Sequence, residues 1–405
     1  MPSHEGYTPW CPDCEWNLFP VSPEPKSLYE RVYLKLGERQ GEALFESIKS
    51  QAATRPRLSP ATLLALVLSA FIHCLTPISA GLGVFLLWQY SPNLIAILLG
   101  IVFIVMAWLV RPRLNRRPAN LVTRDLNRLP AMFGLADSIS DGLGAPRIDG
   151  FVIDAAFNAS IWHYGLRRKV VITIGLPLFH LLERNEKMAL LAHEIGHRVN
   201  GDISRGLMVG TAIDALILWH EVLYADYIWE PDSGLEGLFA APFNVAMRLV
   251  SIIPWTAAFL LVHLLWRDSQ KAEYYADAIA AKVAGRDPLL GLLRKLLFAN
   301  CFRLSVQRTA LNGGDLFAEQ QSETEKLPQS ERDRLLHLEM TNLRLDATHP
   351  PLSHLMMMLN AYATDGPQAV LSEADDARIS SELADWRERI QRQAIDQYRE
   401  TIYQD

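Results

Sequence analysis

The feature that most constrains this chain is a long stretch without charge. From Leu58 to Val110 the sequence contains no Asp, Glu, Lys or Arg. A helix needs roughly 20 apolar residues to cross the hydrocarbon core of a bilayer, so the stretch is too long for one span and suits two. We predict spans over about Ala61–Trp88 and about Asn93–Val110, with Ser91-Pro92 as the turn between them. A buried hairpin in a soluble protein is the alternative, which a charge-free run of this length disfavours.

Two weaker apolar segments follow, at Gly206–Tyr224 and Ala241–Trp266. The first contains Asp214, either as a residue lining a polar chamber or as an aspartate satisfied within a helix bundle. A soluble helix is the alternative for this segment. Together the four segments predict a mainly α, integral membrane fold with about four transmembrane helices.

Basic residues are distributed unevenly around these segments. The loop at 225–237 carries acidic residues but no Lys or Arg, whereas the other flanks are basic. The positive-inside rule therefore predicts a multi-pass protein of the cell membrane with both termini in the cytoplasm. The basic flanking residues are Arg55, Arg57, Arg111, Arg113, Arg116, Arg117, Arg198, Arg205, Arg267 and Lys271.

The segment His193-Glu194-Ile195-Gly196-His197 is typical of a zinc peptidase helix. Histidines at i and i+4 lie one turn apart on one face, so both imidazoles can reach a single zinc ion. Glu194 projects beside them and is predicted to be the general base. A surface helix with two solvated histidines is the alternative. The apolar residues Leu190–Ala192 favour a buried helix instead, in which these polar groups need a partner such as a metal.

A catalytic zinc takes three protein ligands and keeps one open position. Glu273 is the predicted third ligand, and Asp277, one helical turn later, is predicted to orient a ligand histidine. A solvated acidic face would show the same spacing. Because His197 precedes Leu207 by only about ten residues, or roughly 15 Å of helix, the zinc is expected just inside the cytoplasmic face.

These motifs resemble the HtpX-like membrane metallopeptidases, a family that includes the CAAX prenyl endopeptidases. Met188–Asp202, Glu273–Asp277 and Thr348-His349-Pro350-Pro351 come in that family's order, and the similarity covers roughly residues 120–360. The resemblance implies a cytoplasmic zincin-like domain with a small edge-strand β element. It also implies that zinc is bound by two histidines and a distal glutamate, and that the motif glutamate is the general base. These positions match His193, His197, Glu273 and Glu194.

The resemblance suggests roles for two further elements. Asn158-Ala159 matches the family's Asn-Ala element, between the predicted strands Phe151–Asp154 and Lys169–Ile174. An edge strand there would pair with extended substrate through its backbone, and an ordinary hairpin turn is the alternative. His349 is a candidate for transition-state stabilisation or gating, or else a loop histidine before a Pro-Pro turn. The residues 352–355 that follow depart from the acidic residues and arginine often found there in the family.

Near the N-terminus, Cys11 and Cys14 have the spacing of half a zinc ribbon. A complete site needs four ligands, and no second such pair exists. His4 as a further ligand, a metal shared between two chains, and an unused reduced pair are the alternatives. A second zinc at this pair is therefore an open expectation.

The overall composition excludes several classes of protein. The 405-residue chain is 50% hydrophobic with a net charge of -6, so it has no basic surplus for nucleic acid. Its four cysteines do not form a secreted disulfide framework, and no cleaved signal peptide is expected. We expect an N-terminal Cys-pair extension (1–26), a juxtamembrane amphipathic segment (27–57), a transmembrane hairpin (58–110), a first peptidase part (111–205), two further transmembrane helices (206–266), a second peptidase part (267–365) and a charged C-terminal helix (366–405).

The predicted function is a zinc endopeptidase that hydrolyses peptide bonds at the cytoplasmic membrane face, in membrane-protein quality control. Its expected partners are protein or peptide substrates, chiefly membrane proteins, and the lipid bilayer, with the charged C-terminal helix as a candidate for self-association into a homo-oligomer. A processing protease for a lipidated or membrane peptide is the alternative within the class. A non-catalytic zinc-binding membrane scaffold and a channel or transporter are the alternatives outside it.

Overall fold

The computed structural model describes residues 43–47, 59–109, 111–113, 115–224, 235–341, 352–361 and 367–403. Most of these residues are helical, and one small sheet is present. They divide into two compact units. The described residues within 1–56, 116–201 and 270–405 form the first, which we call the mixed unit because it contains the sheet. Those within 57–115 and 202–269 form the second, which we call the apolar unit.

In the apolar unit, the predicted hairpin is present as helices Pro60–Gln89 and Leu94–Leu109. The hydroxyl of Ser59 accepts a hydrogen bond from the backbone N–H of Thr62 at 3.1 Å, which caps the start of the first helix. The two helices pack closely at Gly83 and Gly100. A Cβ added at Gly83 would lie 2.7 Å from the carbonyl oxygen of Gly100. Small residues at such contacts allow the backbones of membrane helices to approach each other.

Three helices in the described part of the chain are long and apolar enough to cross a membrane, namely Pro60–Gln89, Leu207–Tyr224 and Asn244–Ala284. The other predicted span, Leu94–Leu109, has 16 residues. At 1.5 Å per residue it reaches about 24 Å, less than a hydrocarbon core of about 30 Å. The number of spans therefore stays a prediction. Asp214 is exposed on its helix and not buried within the bundle.

Large apolar side chains cover the outer surface of the apolar unit. Trp88 is 83% exposed, and many leucines, isoleucines and valines on the same helices are also exposed. A contiguous apolar surface of this kind is unfavourable in water and typical of a surface that contacts lipid. At the end of the second helix, the guanidinium of Arg111 lies 3.5 Å from the centroid of the Trp108 ring, a pairing typical of the membrane interface.

The helix that contains the predicted span Ala241–Trp266 does not end at Trp266. It runs from Leu235 to Ala284, through Pro254, and includes Glu273 and Asp277. One helix therefore supplies residues to both units. The sequence contains no Gly or Pro between 255 and 284 that would break the helix, so its continuation agrees with helical propensity.

The sheet of the mixed unit contains β1 (Val122–Thr123), β2 (Gly150–Asp154), β3 (Ala159–Tyr164) and β4 (Lys169–Gly175) in the order β1-β2-β4-β3. β2 and β4 are parallel, and β3 pairs with β4 in the antiparallel direction. β3 is thus an edge strand of the described sheet.

The helices of the mixed unit pack with this sheet around one hydrophobic core. Phe151 from β2, Ile172 from β4 and Met188 from a helix are all almost completely buried in it. The helices are Pro130–Gly142, Leu176–Leu181, Arg184–Asn200, the end of Leu235–Ala284, Arg286–Leu296, Ala299–Asn312, Leu316–Lys326, Gln329–Thr341, Leu352–Ala361 and Glu373–Tyr403.

The C-terminal helix Glu373–Tyr403 belongs to this core. It buries Ile379, Leu383, Trp386 and Ile390 at helical spacing. Its Glu382 accepts hydrogen bonds from the backbone N–H groups that begin helix Pro130–Gly142, at 2.6 and 3.2 Å. The apolar face of this helix is therefore buried within the chain. Self-association through this charged helix stays a prediction.

The predicted amphipathic stretch near the N-terminus is described only at 43–47. Leu44 and Phe45 are buried in the core of the mixed unit, and the Phe45 ring stacks on the imidazole of His354 with 4.4 Å between centroids. These two residues are therefore part of the core of the mixed unit.

Candidate metal centre

Helix Arg184–Asn200, which we call the His helix, holds His193 and His197 one turn apart. Glu183 and Glu186 form a capping box at its start, and Gly201 ends it with a φ of 79°. Residues 187–192 are buried, as is Glu194, whose exposed fraction is 6%. This burial is inconsistent with a surface helix bearing two solvated histidines.

Helix Leu235–Ala284, which we call the Glu helix, brings Glu273 to the two histidines. The two helices meet at Gly196 and Ala276. A Cβ added at Gly196 would lie 3.1 Å from the Cα and 3.3 Å from the Cβ of Ala276. A side chain at position 196 would therefore separate the helices, and its absence lets the ligands converge.

The three predicted ligands do converge. The Nε2 atoms of His193 and His197 lie 3.2 Å apart, and each lies 3.6 Å from one of the two carboxylate oxygens of Glu273. Zinc bonds of about 2.0–2.2 Å in tetrahedral geometry place ligand atoms about 3.3–3.6 Å apart. The separations therefore fit one zinc ion held by two imidazoles and one carboxylate. A catalytic zinc with three protein ligands keeps a fourth position for water or substrate.

Asp277 lies behind His193. Its Oδ1 is 2.8 Å from His193 Nδ1, so it can accept the Nδ1–H hydrogen bond and leave Nε2 for the metal. Burial lowers the pKa of His193, but Asp277, Glu273 and Glu194 overcome this effect and raise the pKa to about 9. The carboxylates that favour imidazolium at this position would also favour a divalent cation.

We expect Asp277→Asn to weaken zinc binding by about 10–100-fold while the helices remain folded, since the orienting acceptor of His193 is lost. Zinc affinity would be measured by competition with a chromogenic chelator. Asp315→Asn, at the start of helix Leu316–Lys326, is the matched control because Asn also caps helices well. Equal affinities for the two variants would contradict the role of Asp277.

Zinc binding is expected to strengthen as pH rises. Below a pKa of about 9 the metal-free His193 holds a proton that zinc must displace. Affinity should therefore rise about tenfold per pH unit between pH 7 and 8, and level off above about pH 9. Chelator competition across this range measures the slope, and a flat profile would show that no proton leaves on binding.

The edge strand lies next to the His helix, which contacts it. Asn158 is exposed, and its backbone carbonyl accepts a hydrogen bond from Gly175 N–H at 2.9 Å. Ala159 begins β3 and pairs with Ile174. Because β2 pairs with β4 and not with β3, the connection through Asn158 is no hairpin turn. Substrate binding by Asn158 and Ala159 stays a prediction.

Three residues singled out in the sequence lie outside the described residues. They are His349, for which transition-state stabilisation or gating is predicted, and the pair Cys11 and Cys14, for which a second zinc is predicted. These roles remain predictions.

The structure adds residues that fix the His helix and that motif analysis does not identify. Lys295 Nζ lies 2.6 Å from Glu186 Oε2 at the start of the helix. Gly291 provides the space for this carboxylate, since a Cβ there would lie 2.1 Å from Glu186 Oε1. Lys187 Nζ lies 2.7 Å from Asp376 Oδ1 of the C-terminal helix. Gly196 carries a recognisable signal, because a glycine inside a buried helix indicates a close backbone contact.

Comparison with known families agrees with this geometry. The model of Peptidase family M48 matches residues 136–363, which include β2–β4, the His helix and Glu273. This chain belongs to peptidase family M48. The resemblance to HtpX-like membrane metallopeptidases is thereby confirmed, and the apolar helices agree with a membrane protein.

Curated relatives are named as HtpX proteases. The chain is 29% identical over 169 residues to "Protease HtpX homolog" of Pyrobaculum calidifontis, which covers 41% of this chain and 46% of that protein. It is 26% identical over 154 residues to "Protease HtpX" of Vibrio atlanticus, which covers 38% of this chain and 49% of that protein. The matches thus span about half the length of these relatives. No solved structure matches the chain significantly.

Proposed function

We propose that this M48 member is a zinc-dependent endopeptidase that cleaves membrane proteins at the cytoplasmic face of the cell membrane. The observation that carries the proposal is the convergence of His193, His197 and Glu273 next to the buried Glu194. Two imidazoles and one carboxylate leave a coordination position open, as catalysis requires. A structural zinc site fills all four positions and needs no general base.

The chemistry divides between the metal and the protein. A zinc ion held by His193, His197 and Glu273 would polarise the scissile carbonyl as a Lewis acid and make the attacking water more acidic. Glu194 takes the proton of the attacking water and passes it to the leaving amine nitrogen. His193 is held in the ligand tautomer by Asp277.

Substrate binding is assigned to the outer edge of β3. An extended segment that adds to a strand edge binds through its main chain, so recognition tolerates many sequences. Asn158 and Ala159, where β3 begins, are the proposed contacts. Such recognition requires locally unfolded substrate, which suits damaged or misassembled membrane proteins and hence quality control. His349 is proposed to stabilise the transition state or gate the cleft.

The cytoplasmic placement rests on the charge distribution around the apolar segments. It predicts that a cysteine introduced by Arg116→Cys, in a chain whose other cysteines are replaced, reacts with a membrane-impermeant maleimide only after the cells are opened. Labelling in intact cells would place the metal centre outside.

The experiment that tests the activity uses the full chain purified in detergent. Its zinc content and its cleavage of casein and of a destabilised membrane protein are measured before metal removal by a chelator, after removal, and after zinc is restored. We expect cleavage to disappear and return with the metal. Stoichiometric zinc without cleavage of any unfolded substrate would favour the scaffold. Cleavage of only one lipidated peptide would favour a processing protease, and cleavage indifferent to the chelator would indicate a contaminating protease.

A further inference from the structure

The hairpin between β3 and β4 presents an unusual tip. Tyr164 pairs with Lys169 as the last residues of the two strands, and Gly165–Arg168 form the turn. The backbone N–H of Arg168 donates to the carbonyl of Gly165 at 3.1 Å, and both residues have positive φ, 49° and 67°. The central residues of the turn, Leu166 and Arg167, therefore point away from the sheet.

This segment, which we call the basic tip (Leu166–Lys169), combines an exposed apolar side chain with exposed cationic side chains. Leu166 is 88% exposed, and the three cations that follow it are exposed as well. Lys169 has a weak electrostatic interaction with Asp125. Arg167 and Arg168 form no ion pair with any residue that the structure describes. Two arginines without an ion pair thus follow a leucine that is almost fully exposed, although the chain as a whole has a net charge of -6.

We propose that the basic tip docks on anionic phospholipid headgroups of the bilayer, with Leu166 inserted at their level. The chemistry of the tip matches this surface, since arginines attract anionic headgroups and a leucine gains by leaving water for the acyl boundary. An acidic peptide would satisfy the arginines but not the leucine. The apolar helices of the same chain anchor it to a bilayer, so the basic tip meets the lipid at a high effective concentration.

Docking of the basic tip would also affect the edge strand, because the tip directly continues β3. Docking would hold the far end of that strand at the lipid surface, where segments of membrane proteins emerge. This consequence rests on the proposed function, whereas the docking itself does not. The test therefore measures lipid contact and not proteolysis.

The experiment places a benzophenone amino acid at position 166 of the full chain, reconstituted in nanodiscs of phosphatidylcholine with or without phosphatidylglycerol. After irradiation, intact mass detects phospholipid adducts. The matched control is the same substitution at Leu311, which is 72% exposed on helix Ala299–Asn312 and has no adjacent basic residues. We expect adducts at 166 that depend on phosphatidylglycerol and decline with added salt, and few at 311.

Removing the two arginines by Arg167→Gln with Arg168→Asn should weaken attachment about 30-fold, with Asn chosen because it tolerates positive φ. Arg167→Lys with Arg168→Lys should retain it. Equal yields at 166 and 311, or equal yields in the two lipid compositions, would overturn the proposal, as would adducts with protein alone. The salt dependence of the arginine-containing chain tests the charge contribution even if a variant fails to fold.

Discussion

Glu194→Gln is expected to reduce peptide cleavage by about 10²–10⁴-fold while the chain retains its zinc. Glutamine has nearly the shape of glutamate and can keep the hydrogen bonds of a buried side chain. It cannot take a proton from the attacking water at neutral pH. The three predicted ligands, His193, His197 and Glu273, are unchanged, so metal content and thermal stability should stay close to those of the unmodified chain. Cleavage rate and bound zinc would be measured on the same preparation.

The control is Glu325→Gln, which makes the same chemical change at an exposed carboxylate on helix Leu316–Lys326. It should leave both rate and zinc content unaltered. Full activity in Glu194→Gln would mean that another protease in the preparation cuts the substrate. Loss of zinc together with activity would instead make Glu194 a structural residue of the site, because removal of a general base alone leaves the metal bound.

The parts of the site that sequence reasoning identifies are those imposed by short-range geometry. Helical spacing alone places His193 beside His197 and Glu273 beside Asp277. The pairing of the two helices is long-range, and the assignment of Glu273 as the third ligand needed the family resemblance as well as the ligand count. In the structure, ligand atoms of all three residues lie within 4.8 Å of one another, as the assignment requires.

Other features could not be derived from local pattern. The charged helix Glu373–Tyr403 shows an apolar stripe, but nothing in its sequence says whether that stripe meets a second copy or the core of its own chain. Trp386 of this helix is buried in the core, and the Glu382 carboxylate that accepts a hydrogen bond from the Ala131 N–H lies 251 positions away in the chain. Likewise, the apolar composition near Trp266 suggested the end of a span, whereas helical propensity continues the Glu helix to Ala284.

We expect Gly196→Leu to abolish the metal centre without changing any ligand. Position 196 lies between the two histidines and faces the other ligand helix, where even a Cβ would lie 3.1 Å from the Ala276 Cα. A leucine adds further atoms to this contact, and overpacking of this kind costs about 1–3 kcal/mol. The overpacking at position 196 is relieved if the His helix and the Glu helix move apart, and this movement takes Glu273 away from the histidines. A displacement of about 1 Å is enough to lower catalysis about a hundredfold. Zinc content, zinc affinity and cleavage should therefore fall together.

The matched control is Gly134→Leu in helix Pro130–Gly142, where a Cβ would meet nothing within 4 Å. Replacing an interior helical glycine at an open position should stabilise the chain by about 0.5–1 kcal/mol, so the two substitutions should act in opposite directions. Thermal unfolding with and without zinc distinguishes an effect of Gly196→Leu on general stability from an effect on the metal centre. If Gly196→Leu lowers the melting temperature equally in both states and keeps its zinc affinity, the close contact serves stability alone. If only the zinc-bound state loses stability, the contact serves to bring Glu273 within reach of the metal, and the glycine inside the motif is then as necessary to the site as the histidines on either side of it.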